Sequence, residues 1–325
     1  MSIAQTTVLR WPTRLCLALC AALTVSTAAQ AQTVRYISSA GNNANNCTRA
    51  APCLTLKRGV SRTPAGSELK ILDPGAYGSA NIKKSITISS EVAGATVQNI
   101  VVDDFQAVVV LRGLLFHGTV LNSGGIAVGL DIAKAAAVHV IRCEIERYAI
   151  HGIHFHGEQG ANLFISDSVV RTNGGSGIVI VGTPITRLTI DNSRIEDNAN
   201  NGILASGNIR AAVNRAVISG HGGSAIEQSA GVMTISSSTA ANNFHGFKAM
   251  DTGVMTVEAS VATGNVSVGI WANNGGTVHV SNSASTNNAT GFLNNNGTLS
   301  SRGNNTVSGN TSNDTSGTIT EFDGL

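Results

Sequence analysis

The sequence predicts an all-β solenoid of stacked parallel coils, and three observations carry that prediction. Gly, Asn, Ser, Thr, Val and Ile are abundant in a 325-residue chain whose aromatic residues are 4% and whose charged residues are 12% of the total, against about 25% charged in ordinary domains. Such a composition favours strands and tight turns. A pair of one small and one apolar residue recurs at Gly125-Ile126, Gly152-Ile153, Gly177-Ile178, Gly202-Ile203, Ala225-Ile226, Gly246-Phe247, Gly269-Ile270 and Gly291-Phe292, in steps of 27, 25, 25, 23, 21, 23 and 22 residues. Each block so defined also carries a turn position that is mostly Asn. A β-rich repeat near 22 residues signals a solenoid, because one block cannot bury its apolar face except against the next. With Lys+Arg 21 against Asp+Glu 19, nucleic-acid binding through a basic surface, a charged disordered tail and a coiled coil are excluded.

Taken in chain order, the first element is an address. Arg10 and Arg14 precede an apolar run over residues 15–25, followed by small residues ending Ala29-Gln30-Ala31, the order of a secretory signal cleaved before Gln32. The run is too short to span a bilayer, and Leu19 before Cys20 argues against a lipoprotein. No second long apolar span follows, so no membrane insertion is expected. The mature chain then carries equal numbers of basic and acidic side chains. Of its three cysteines, Cys47 and Cys53 flank a short polar segment and can close a disulfide loop in an oxidising environment. Zinc is the alternative, but no second ligand pair stands at finger spacing.

Within the blocks, apolar residues alternate with period two at Val138/Val140, Leu163/Ile165, Leu188/Ile190, Met233/Ile235, Met255/Val257 and Val278/Val280, which makes them inward positions. A small residue stands three further on: Cys143, Ser168, Ser193, Ala216, Ser238, Ser260 and Ser283. The turn position holds Asn173, Asn198, Asn243, Asn265 and Asn288, with His221 once and Tyr148 in the earliest block. Coils about 4.8 Å apart bring equivalent positions into contact, so Asn side chains can bond one another up the stack. Leucine-rich repeats would need their Leu pattern, and a propeller blocks of about 40 residues.

The block Val138-His139-Val140-Ile141-Arg142-Cys143-Glu144-Ile145 with Gly152-Ile153-His154-Phe155 resembles the repeat of right-handed parallel β-helix proteins of the pectin-lyase-like superfamily. The segment with Pro52, Leu56, Val60, Leu69, Ile71 and Pro74-Gly75 is similar to the capping helix and first coil of bacterial members, although Gly59 stands where a better helix former is usual. The resemblance implies about ten coils: a signal at 1–31, an N-terminal strand, disulfide loop and capping helix over 32–68, the β-helix over 69–310, and a tail over 311–325.

That superfamily contains lyases, hydrolases and epimerases as well as noncatalytic proteins, so function has to come from the residues. The aligned charges Glu146, Arg171 and Glu196 in one column, and Arg142, Asp167, Asn192 and Arg215 in another, are expected to pair between coils. Polygalacturonase-type enzymes resemble one another in four motifs, of which this chain has only Asp103-Asp104 and Gly220-His221-Gly222, far apart. No catalytic residue is assigned; Asp167, Asp191 and Asp197 are the fallback, on adjacent coils but in different columns. His154 and His156 project outward about 6.6–7 Å apart. With Ala127, Val179, Gly129 and Val181 as their expected column neighbours they lack a third ligand, so neither a metal nor a cofactor is expected. Cys143 is a buried filler.

These readings favour an exported noncatalytic β-helix binding a polysaccharide or cell-surface component along an outer face with Glu146, His154, His156, Arg171, Glu196 and Trp271, in the periplasm or the medium. Trp271, predicted outward between Lys248 and Leu293, is the aromatic ring available as a sugar platform. The alternative is a polysaccharide lyase, hydrolase or epimerase.

Overall fold

A computed structural model describes residues 33–118, 127–156 and 160–322, apart from the side chains of 183 and 184. The expected signal segment and the pair Gly125-Ile126 lie outside the described residues. Strand β1 (Val34–Ile37) opens the fold, followed by a loop closed by the Cys47–Cys53 disulfide, with Cα atoms 4.7 Å apart. Helix α1 (Leu56–Arg62) is capped by the Thr55 hydroxyl, which accepts from the Arg58 N–H at 3.3 Å. Gly59, a poor helix former, is explained by close approach. A Cβ there would fall 2.7 Å from Ile37 and 2.8 Å from Leu69, so only glycine lets the helix lie on the end of the stack. Leu56 and Val60 are buried there, and the helix shields the terminal strands from edge pairing.

Each coil contributes to three faces. His151–Phe155 belongs to the first, Asn162–Ser166 to the second and Val169–Arg171 to the third. Later coils run through the first and second faces as single long strands such as Ile178–Asp191. The described strands accordingly form one twenty-stranded and one eleven-stranded sheet, with parallel pairing between coils. The eleven strands of the third face make about eleven right-handed coils, close to the ten expected. Ile153, Ile178, Ile203, Ile226, Phe247, Ile270 and Phe292 pair in sequence and are all buried. The coils also continue past residue 310, the expected limit: Asn313–Ser316 and Ile319–Glu321 pair onto the preceding coil.

A buried ladder of side chains closes the coils. The N–H of Tyr148 donates to Asn173 Oδ1, that of Asn173 to Asn198 Oδ1, and that of Asn198 to His221 Nδ1, each at 3.1 Å. His221 then donates its own N–H to Asn243 Oδ1, and the series runs on through Asn265, Asn288 and Asn310. Because His221 Nδ1 accepts and Nε2 lies 3.1 Å from the Ile195 carbonyl, the ring is neutral with its proton on Nε2. A parallel ladder joins the small inward column: Cys143 and Ser168 donate their N–H groups to Ser168 Oγ and Ser193 Oγ.

One coil boundary differs from the sequence reading. Ile153 pairs with Leu130, so that coil opens at Gly129-Leu130, four residues after Gly125-Ile126. The opening glycine must clear the residue closing its own coil: a Cβ on Gly129 would collide with the Tyr148 ring, as one on Gly177 would with Asn198. The spacing from 129 to 148 is 19 residues, within the range of the other coils: 21 from 152 to 173 and from 177 to 198, 19 from 202 to 221, 18 from 225 to 243 and 19 from 246 to 265; a start at 125 would make it 23.

The charge columns have the expected register but not all the expected partners. Glu146, Arg171 and Glu196 are successive neighbours on the third face. Arg171 reaches back to Glu144 at 2.5 Å and Glu146 at 2.8 Å, while Glu196 pairs with Arg194 of its own strand at 2.7 Å. In the other column Asn192 donates to Asp167 at 2.6 Å, but Arg215 turns to Asp191. The backbone there is left-handed at Arg142, Asp167, Asn192 and Arg215, which turns the chain between faces and splays long side chains away from the column axis.

Three outcomes follow from these contacts. Asn265→Ala removes the acceptor of the buried Asn243 N–H and should lower stability by about 2–3 kcal/mol, read as a lower urea midpoint at unchanged slope; Asn200→Ala, exposed, is the control and should stay within about 0.5 kcal/mol. Arg171→Glu puts a third carboxylate beside Glu144 and Glu146 and should cost about 1 kcal/mol at low salt, shrinking as salt is added. Burial holds His221 below its ordinary 6.5 and pushes His245 down to about 4. The unfolded chain therefore binds more protons below 6.5, and stability should be full above that pH and fall as pH drops toward 4. Replacing His221 with Asn should flatten part of that slope in pH-dependent melts.

Candidate functional site

Chemistry collects on the first face. One outward column runs Asn81, Val101, Asp131, His154, Val179, Leu204, Glu227, Lys248, Trp271 and Leu293 in direct register. Every second residue of a strand points outward, so these side chains stand in a row at the spacing of the coils. The row is polar at its N-terminal end and apolar at Val179 and Leu204. Beyond them come a Lys248–Glu227 ion pair of 3.0 Å and then Trp271.

The corrected boundary changes the surroundings of the histidines. His154 stands beside Asp131 and Val179, not beside Ala127. Asp131 Oδ1 lies 3.0 Å from His156 Nε2 and 4.0 Å from His154 Nδ1, and the two imidazole centroids are 4.0 Å apart. All three side chains are 26–39% exposed, so the group opens to solvent from a firm base. Among the described residues it is the group of three His, Cys, Asp or Glu side chains placed to share one ion. Burial and then the neighbouring His156 hold His154 below the usual imidazole range, against the opposing pull of Asp131. His151 is turned to another task, its Nδ1 accepting from the Ser176 N–H at 3.1 Å.

At the N-terminal end of the same face lies a cavity of about 620 Å³ between α1 and the strands Ala80–Ile82 and Ile100–Asp103. Lys57, Lys83, Lys84, Asn81 and Asn99 supply its polar lining. Lys84 donates to the Thr63 carbonyl at 2.6 Å, and Lys83 lies 3.6 Å from Asp103. Lys57 has no ion-pair partner among the described residues. The composition gave no signal for this cavity, because its lysines are separated in sequence and meet only when the helix folds over the first coils.

The other candidates divide between faces. Glu146, Arg171 and Glu196 belong to the eleven-stranded sheet, whereas His154, His156 and Trp271 follow the first face, so no single face carries all six. Lys248 Nζ sits 4.9 Å from the centroid of the Trp271 ring and the His245 ring 4.8 Å from it. The indole N–H is buried without a hydrogen-bond partner. The half-buried ring is therefore covered by its column neighbour and is not an open sugar platform. Asp167 is taken by Asn192; Asp191 by Asn214 and Arg215; and Asp197 lies at a left-handed turn close under Gly220. These three carboxylates do not converge. Cys143 is buried, its thiol pushed up to about 11 by burial, which makes it inert.

No curated protein matches the sequence. Residues 77–212 match the family model of the right handed beta helix region. Among solved structures, pectate lyase Pel9A superposes with a TM-score of 0.58 at 17% identity, over 82% of this chain and 75% of that one. The catalytic domain of Agl-KA gives 0.51 at 15% identity, over 79% of this chain and 63% of its own. Tailspike protein 2 of the Escherichia coli O157:H7 bacteriophage CAB120 gives 0.51 at 10%, over 76% and 40%. Identities this low speak for the architecture alone, and together with the stacked register they establish it: the described chain is a right-handed parallel β-helix, the fold of the region matched by the family model and of pectate lyase Pel9A.

Proposed function

We propose that the protein is an exported, noncatalytic β-helix that binds an acidic polysaccharide along its first face. The observation that carries this reading is the cavity of about 620 Å³ under α1, where Lys57, Lys83 and Lys84 stand with two carboxamides. Ammonium groups recognise carboxylates as point charges, the Asn81 amide offers a donor and an acceptor for sugar hydroxyls, and Asn99, whose Nδ2 donates to the Val128 and Gly129 carbonyls, offers its oxygen as an acceptor. The column beyond it continues the contact as a shallow track one coil spacing per residue, which suits a polymer better than a small molecule. Pectate, in the name of one structural neighbour, is an acidic polymer of the class this lining would take.

Export is supported by the Arg10 to Ala31 pattern and by the Cys47–Cys53 disulfide, a bond that persists in oxidising compartments. Among the described residues no helix is long and apolar enough to cross a membrane. A noncatalytic role fits the carboxylates: Asp191, Glu196 and Glu227 each hold a cation, Asp167 holds an amide, and the adjacent pair Glu144 and Glu146 is neutralised by the Arg171 guanidinium between them.

Affinity electrophoresis through gels containing polygalacturonate or neutral dextran tests the reading. The protein should be retarded by polygalacturonate alone, and a Lys57→Ala/Lys83→Ala variant should bind about tenfold more weakly, about 1.4 kcal/mol. Equal mobility in both gels would refute binding. Release of unsaturated product, abolished by a change at Asp167, Asp191 or Asp197, would replace this reading with a lyase.

A further inference from the structure

We propose that Asp131, His154 and His156 form a binding site for a divalent transition-metal ion of the zinc class. The donor set is two imidazoles and a carboxylate, which suits zinc, copper or nickel; calcium and magnesium prefer all-oxygen shells. A tetrahedral ion with ligand bonds of about 2.0–2.1 Å needs donor atoms about 3.3 Å apart. The observed separations of 3.0 Å from Asp131 Oδ1 to His156 Nε2 and 4.0 Å to His154 Nδ1 bracket that edge, and all the donor atoms lie within 4.8 Å of one another. Small rotations about the side-chain bonds of the histidines close the difference.

The backbone holds these donors in place. Asp131 and His154 are direct register partners on adjacent strands, and the His156 N–H donates to the Ile132 carbonyl at 3.0 Å, fixing the third ligand beside the first two. Three donors on paired strands are preorganised, so little conformational freedom is lost when an ion arrives. Partial exposure of all three side chains leaves the remaining coordination positions to water or to an oxygen of a bound molecule. Without an ion the same atoms make an ordinary Asp131–His156 hydrogen bond, and the experiment separates the two states.

The site does not rest on the polysaccharide reading, since it is probed with metal alone. Isothermal titration of the mature chain, purified without a histidine tag, with zinc chloride should give one saturable equivalent. Cobalt(II) should give the visible absorption of a low-symmetry nitrogen–oxygen site. Asp131→Asn, nearly isosteric, and His156→Ala should each weaken binding by at least about tenfold. His139→Ala, on the second face where it stacks on Phe164 at 4.6 Å, should leave binding unchanged. Zinc should raise the melting temperature of the parent protein and not of Asp131→Asn. Circular dichroism of each variant without metal checks that it is folded. No saturable heat with zinc or copper, or unchanged affinity in folded His154→Ala/His156→Ala protein, would overturn the proposal.

Discussion

The buried hydrogen bonds at the coil-closing turns are the constraint on which the other features depend. Each turn leaves a backbone N–H inside the stack, where an unpaired donor costs about 1–3 kcal/mol. The side chain one coil on supplies the acceptor, from Tyr148 through Asn310. Satisfying each donor from the next coil sets the height and rotation of that coil. It also forces the opening residue to be small, because the turn side chain occupies the space a Cβ would need at Gly129, Gly152, Gly177 and Gly202. Strand pairing alone tolerates slippage in a uniform repeat, whereas a ladder of amides within the turns does not.

That register sorts the surface into parts with different roles. On the third face it brings Arg171 against Glu144 and Glu146, with His117 on the other oxygen of Glu146 at 2.9 Å, so charges there are spent between coils. Later coils carry Ser, Thr and Asn at outward positions and repeat closely. The two candidate sites lie in the N-terminal half of the first face. There the capping helix overhangs the strands and forms the lysine cavity, and a coil that opens at Gly129 places Asp131 against His154. Both candidate sites are consequences of how the stack begins.

The architecture was legible because it is written many times over: the inward positions of the repeats, the small column and the turn Asn each recur, and one irregular block cannot obscure them. His221 could be read as an Asn substitute for the same reason. Asp131 was missed because Gly125-Ile126 imitates a coil opening four residues early, and the imitation shifts every neighbour of His154. The interval from opening residue to turn residue, 18 to 21 in the other coils against 23 from Gly125 to Tyr148, would have exposed it. Arg171 has an acid on its own side of the column and another diagonal to it, Glu144, and alignment alone sees only the first. The covering of Trp271 by Lys248 depends on where a long flexible side chain lies, and the lysine cavity depends on docking of α1; neither has a periodic signal.

Native-state hydrogen exchange, resolved at the amides of residues 173, 198, 221, 243, 265 and 288, tests the central claim most directly. If the turn ladder fixes the register, these turn amides should exchange as slowly as the neighbouring core strands and through the same global opening. Fast, loop-like exchange at these positions beside protected strands would show that the stack is held by strand pairing alone, and would contradict the account.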